Sequence, residues 1–276
     1  MKNALALGTF DGLHKGHLAV LSMPEGYNKI ALVFERPPKA VFGGEPCSIM
    51  TFAQKGQGLA ELGIKAEKLK IEEVRNLSAE SFLQDIKNRF NPALISCGFN
   101  YHFGAGGKGT TELLSRFCEE NNIILKVCEP VNIEGEPVSS SRIREHLKKG
   151  EIEKGNLLLS DKFSYCNPVL HGDGRGRTLG FPTLNQRYPE ELVPLKFGVY
   201  KTEISLNGKI YKGITDIGKR PTYPVDFIIS ETFIKDFSGD LYGETVKITL
   251  LEFLREERKF GSVSELKEQI EKDIRR

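Results

Sequence analysis

The sequence predicts an α/β domain with a parallel sheet, followed by a small β-barrel or sandwich that carries one terminal helix. Three observations support this. Short apolar runs alternate with helix-like stretches up to about residue 130. Beyond residue 160 the chain turns to β-like segments separated by Gly, Pro and Asn-Gly turns. Helical spacing returns only in the last stretch.

In order, "ALALGTF" reads as a first buried strand, followed by a short apolar helix from His17. The link "LAVLSMPEGYN" leaves room for no more than a clipped helix before the second strand, "KIALVF". In "SAESFLQDIKNRF" the apolar residues Phe82, Ile86 and Phe90 recur at helical spacing, and Leu113, Leu114 and Phe117 do so in "TTELLSRFCEENN". Between and after these helices, "ALISCGF" and "IILKVCEPV" supply two further strands. Strands joined through helices imply parallel pairing. In "FGVYKTEISLNGKIYKGI" the Asn-Gly pair between alternating runs marks a hairpin, and "SVSELKEQIEKDI" is a helix with Ser264 as candidate N-cap. The boundary is placed near residue 160, giving domains 1–160 and 161–276. No internal repeat stands out.

Composition narrows the function classes. The 276 residues hold 39 Lys and Arg against 37 Asp and Glu, a formal net charge of +2, which argues against a nucleic-acid partner. The five cysteines, Cys47, Cys97, Cys118, Cys128 and Cys166, include no C-x-x-C and fit neither a disulfide framework nor a zinc site. "ALAL" before Gly8 is too short for a signal-peptide core, and no run approaches a membrane span. The expectation is a cytoplasmic protein, a monomer or weak homo-oligomer, with small-molecule substrates and no membrane or nucleic-acid partner.

The segment "GTFDGLHKGH" lies where the first strand ends, the edge at which open α/β sheets bind ligands. Gly8 and Gly12 allow close backbone approach, a helix beginning at His17 offers amide donors, and His14 and His17 can donate to a phosphoryl group as charge builds on it. In "VSSSRIREHLKKG", Ser140 and Ser141 supply hydroxyl and amide donors at a helix start, while Arg142 and Arg144 add positive charge for a polyphosphate.

These segments resemble known motifs. "GTFDGLHKGH" is similar to the G-x-F-D-x-x-H-x-G-H motif of nucleotidyltransferases, matched by Gly8, Phe10, Asp11, His14 and His17, and "VSSSRIREHLKKG" resembles its partner motif. "CGFNYHFGAGGKGT" resembles the substrate loop of the FAD synthetase module in bacterial bifunctional riboflavin kinase/FMN adenylyltransferases, with Asn100 at its polar position. "HGDGRGRTLGFPTLN" resembles the riboflavin kinase signature. The resemblance assigns Gly172, Gly174, Arg175, Gly176 and Arg177 to the ATP phosphates, and Thr183 and Asn185 to magnesium and phosphate. Strand alternation agrees with this, since Thr183 and Asn185 are two apart and share a face. Glu231 matches the family's catalytic glutamate, the expected general base of the kinase.

The resemblance spans nearly the whole chain and implies a Rossmann-like nucleotidyltransferase domain followed by a riboflavin kinase barrel. It implies ATP as co-substrate, magnesium, and riboflavin, FMN and FAD as substrate, intermediate and product. Three departures stand out. Arg36, Pro37 and Pro38 in "FERPPKAVF" replace the usual F-E-P-H-P, His102 stands where arginine is common, and Asp216 in "ITDIG" replaces a usual asparagine. They leave open a riboflavin kinase with an impaired N-terminal nucleotide- or flavin-binding domain, or a nucleotidyltransferase of other specificity.

Overall fold

The computed structural model describes residues 1–35, 37, 41, 48–171, 183–219, 227–258 and 260–275. The chain divides into two compact units, Met1–Ser140 and Ser141–Arg276.

The first unit is a five-stranded, wholly parallel sheet in the order β3-β2-β1-β4-β5. Its strands are β1 (Lys2–Leu7), β2 (Tyr27–Phe34), β3 (Lys65–Leu69), β4 (Pro92–Gly98) and β5 (Ile124–Cys128). The helices are α1 (Lys15–Leu21), α2 (Phe52–Glu61), α3 (Ile71–Val74), α4 (Ala79–Phe90) and α5 (Thr111–Glu120). Alternation along β1 sorts the two faces. Leu5 and Leu7 join Phe82, Leu83, Ile86 and Leu114 of α4 and α5, whereas Ala4 and Ala6 join Val20, Leu21 and Leu59 of α1 and α2. The small residues on the second face let α1 and α2 approach the sheet closely. A two-stranded hairpin, β6 (Asn132–Ile133) with β7 (Glu136–Pro137), follows.

The second unit is a closed antiparallel barrel in the order β10-β11-β12-β9-β8-β13. Its strands are β8 (Ser164–Leu170), β9 (Thr183–Arg187), β10 (Gly198–Leu206), β11 (Lys209–Lys219), β12 (Ile228–Ile234) and β13 (Thr245–Arg255). At the Asn207-Gly208 turn both residues have positive φ, 47° and 75°, as the tight hairpin requires. Tyr165, Tyr200, Ile204 and Ile248 fill the interior with almost no exposure. A line of hydroxyls crosses it, Thr202 to Thr215 at 3.0 Å and Thr215 to Thr232 at 2.9 Å.

Helices α6 (Ser140–Lys149) and α7 (Ile152–Leu158) precede the barrel. Ile143, Leu147, Ile152 and Leu158 are buried, and Asn156 Nδ2 donates to the Leu250 carbonyl of β13 at 2.9 Å. The division at Ser140 therefore falls about twenty residues before the boundary expected near 160, because these helices pack with the barrel.

The terminal helix, α8 (Val263–Arg275), begins one residue after Ser262, whose Oγ accepts the Glu265 N–H at 3.2 Å. This corrects the expected cap: Ser262 holds that position, and Ser264 lies inside the helix. Among the described residues no helix is long and apolar enough to cross a membrane.

Candidate active sites

Strand order in the first unit reverses beside β1, with the later strands β4 and β5 on one flank and β2 and β3 on the other. Connections after β1 and β4 therefore leave toward opposite faces and open a crevice at the strand ends. A cavity of about 640 Å³ occupies that position. Gly8, Thr9, Phe10, His14 and His17 line it after β1, and Phe99, Asn100, Tyr101 and Phe103 after β4.

The loop after β1 is tightly constrained. Phe10 and Leu13 have positive φ, 47° and 40°, which side chains other than glycine rarely adopt. Phe10 is wholly buried, and Asp11, equally buried, accepts the Ile49 N–H on Oδ1 at 2.9 Å. These contacts hold the strained turn in place. Helix α1 starts at Lys15, not at His17 as expected from the sequence. His14 is the N-cap, its Nδ1 accepting the His17 N–H at 3.3 Å. The two imidazoles stack with centroids 3.5 Å apart and planes 17° from parallel, and His17 meets Phe10 edge-on at 5.3 Å. One turn of helix thus presents both rings to the cavity.

The partner segment reaches the same place through Ser140, which lines the cavity and donates from Oγ to the Asp11 carbonyl at 2.9 Å. Ser141, Arg142 and Arg144 follow on α6, in the second unit, with both arginines half-buried. Asn100 is exposed at the cavity wall. Its carbonyl accepts from His102 Nδ1 at 2.9 Å, which fixes the proton on that nitrogen. Beside it, Tyr101 and Phe103 stack at 5.6 Å, and Phe103 rests on Phe82 at the same centroid distance. Burial pushes the Tyr101 hydroxyl well above the ordinary phenol range. This aromatic wall suits a flat ring system, and it was not among the residues expected from the sequence although "FNYHF" spells it out.

In the second unit the outward faces of three neighbouring strands bring together residues far apart in sequence. Asn185 of β9 pairs across to Glu231 of β12, and Glu231 pairs across to Asp216 of β11. Thr183, two residues before Asn185, shares its face and pairs with Phe233. Burial, followed by the nearby Glu257 and Glu231 carboxylates, pushes Asp216 up to about 6, and its Oδ1 is buried with no hydrogen-bond partner among the described residues. Glu257 is itself raised by burial and by Glu231, and it lies over Gly218, where any side-chain carbon would collide with its carboxylate. On the same side, the Arg255 guanidinium donates to Asp273 of α8 at 2.9 Å, and Gln269 donates to the other oxygen of that carboxylate at 2.7 Å. Gly172, Gly174, Arg175, Gly176 and Arg177 lie outside the described residues, as do Arg36 and Pro38.

Thr183 and Asn185 offer two neutral oxygens at period two beside a carboxylate. This donor set fits magnesium, a hard cation that keeps waters and substrate phosphates as its other ligands.

Comparison with known proteins agrees with this geometry. A family model described as FAD synthetase matches residues 1–142, and one described as riboflavin kinase matches residues 159–276. The bifunctional riboflavin kinase/FMN adenylyltransferase of Bacillus subtilis is 33% identical over 287 residues, covering 99% of this chain and 90% of that protein. The chain belongs to the bifunctional riboflavin kinase/FMN adenylyltransferase family. The Escherichia coli member is 31% identical over 98% of this chain and 90% of its own length. A solved structure described as a macrolide-efflux protein from Streptococcus pneumoniae shares the fold, with a TM-score of 0.88 and 28% identity over 99% of this chain and 92% of that one.

Proposed function

We propose that this member of the family makes FAD from riboflavin in two ATP-dependent steps, with the barrel as kinase and the parallel-sheet unit as adenylyltransferase. The observation that carries the second assignment is the hydrogen bond from Ser140 to the Asp11 carbonyl, which joins the two nucleotidyltransferase-like segments at one cavity mouth.

In adenylylation an FMN phosphate oxygen attacks the α-phosphorus of ATP, the new P–O bond forms, and pyrophosphate leaves. FMN already carries an anionic nucleophile, so alignment and charge stabilisation are what the site must supply. His14 and His17 donate to the phosphate oxygens as charge accumulates, and Ser140, Ser141, Arg142 and Arg144 serve the polyphosphate. Asn100 and the aromatic wall around Tyr101 hold the flavin.

In the kinase step the ribityl 5′-hydroxyl attacks the γ-phosphorus and ADP leaves. Glu231 orients that hydroxyl and takes its proton. Thr183 and Asn185 would hold magnesium, which when bound neutralises charge on the transferring phosphoryl group. Gly172, Gly174, Arg175, Gly176 and Arg177 are assigned to the ATP phosphates.

The test is to incubate the purified protein with riboflavin, ATP and magnesium and to separate the flavins by chromatography. Formation of FMN followed by FAD is expected. FMN alone would leave the cavity as a binding site without adenylyl transfer, and neither product would overturn both assignments.

A further inference from the structure

Strands that end at a ligand cavity point carbonyl oxygens toward it, and for a polyanionic substrate those carbonyls have the wrong sign. Thr9, just past β1, and Phe34, the last residue of β2, both line the cavity. Their carbonyls meet one side chain. Lys55 Nζ donates to the Thr9 carbonyl at 3.1 Å and to the Phe34 carbonyl at 3.0 Å.

Lys55 lies near the start of α2 and is 1% exposed. Burying an ammonium that deeply costs several kcal/mol in desolvation, whereas an unbranched apolar side chain would fill similar space without that cost. Core packing by itself therefore gives no reason for a lysine here.

The surroundings of Lys55 grip the histidine loop at further points. Ile49, just before α2, donates its N–H to Asp11, and a side-chain carbon at Gly58 would stand 2.5 Å from Leu13 Cδ1. A reciprocal capping box between Thr51 and Gln54 fixes where α2 begins. Helix α2 and its lead-in thus meet Thr9, Asp11 and Leu13 in turn, on the stretch that leads into His14.

We propose that Lys55 is a positioning residue of FMN adenylylation: its buried ammonium ties the two strand-end carbonyls together behind the histidine loop and screens their negative ends from the ATP phosphates. The inference rests on the adenylyltransferase reading of the cavity. A misplacement near 1 Å in such a site costs on the order of 10²-fold in rate, so the effect falls on turnover more than on flavin affinity.

The experiment uses the full-length chain with FMN supplied directly, comparing wild type with Lys55→Met and Lys55→Gln by pyrophosphate release. Riboflavin phosphorylation and thermal unfolding are measured on the same preparations. For Lys55→Met, kcat for FAD formation is expected to fall roughly 10- to 100-fold while KM for FMN moves less than about threefold and riboflavin phosphorylation is unchanged. Lys55→Gln keeps N–H donors for the carbonyls and is expected to recover part of that loss; should the methionine variant not fold, it decides alone. A folded variant with wild-type kcat overturns the inference. So does a rise in KM matching the fall in kcat in both variants, which would mean that the side chain only supports the core. A wild-type protein that forms no FAD removes the adenylyltransferase reading, and this inference with it.

Discussion

Asp216→Asn is expected to stabilise the barrel, and to do so more at neutral pH than in acid. The folded protein holds the Asp216 carboxyl at about 6 against 3.8 for the free side chain, through burial first and then Glu257 and Glu231. The unfolded chain therefore gives up its proton at lower pH than the folded one. Stability contributed by the protonated group is lost as pH rises from about 4 to about 6 and is constant above that. Each tenfold change in proton affinity is worth about 1.4 kcal/mol, so a rise from 3.8 to about 6 amounts to roughly 3 kcal/mol at neutral pH. Near pH 4.5 the same relation leaves about 1 kcal/mol, so the gain from asparagine should differ between about pH 4.5 and about pH 7.5 by roughly 2 kcal/mol. Urea unfolding followed by tyrosine fluorescence suits the measurement, since among the described residues Tyr165, Tyr188, Tyr200, Tyr211 and Tyr242 belong to the second unit and Tyr27 and Tyr101 to the first. An equal gain at both pH values, or a less stable variant at pH near 7.5, would refute the account of Asp216 as a carboxyl raised by burial and by its acidic neighbours.

Other expectations follow from the two sites. Replacing His14 and His17 together by alanine should lower FAD formation by about 10²–10³-fold or more and leave riboflavin phosphorylation within a few-fold of wild type, as read by flavin chromatography. Glu231→Gln should lower kinase turnover about 10²–10⁴-fold with little change in thermal stability, whereas Asn185→Ala should raise the magnesium and ATP concentrations needed for half-maximal rate. A fragment of residues 141–276 should unfold at higher urea than one of residues 161–276, because α6 and α7 bury Ile143, Leu147, Ile152 and Leu158, each worth about 1.5–3 kcal/mol when fully buried. Equal midpoints would show that those helices add nothing to the barrel.

Much of the fold was legible because local pattern and tertiary role agree. The alternation of Ala and Leu in β1, the helical spacing of Phe82 and Ile86, and the Asn-Gly hairpin each announce a single structure. Strand β3 escaped notice because "KAEKL" buries only Leu69 at the sheet's edge, and α2 because "FAQKGQGLAE" carries two glycines and a lysine. The histidine motif could be read in the chain, but which histidine caps the helix could not, since that depends on the positive φ of Leu13 just before it. The alignment of Asn185, Glu231 and Asp216 depends on which strands become neighbours. Here β9 joins β12 across a stretch containing two other strands, a pairing that local alternation cannot specify.

The closure of the barrel also governs when it can form. Strand β13 seals the ring, with Thr245 opposite Pro168 of β8 and Ser205 of β10 opposite Lys247, so the first strand of the barrel waits for the last of its six. The parallel sheet, in contrast, is complete once Cys128 has emerged. On a ribosome that makes the chain from its N-terminus, the adenylyltransferase unit has all of its strands while β8 still lacks one neighbour. During that interval β8 is an exposed strand edge, open to pairing with another nascent chain, and it is protected only once β13 has been made.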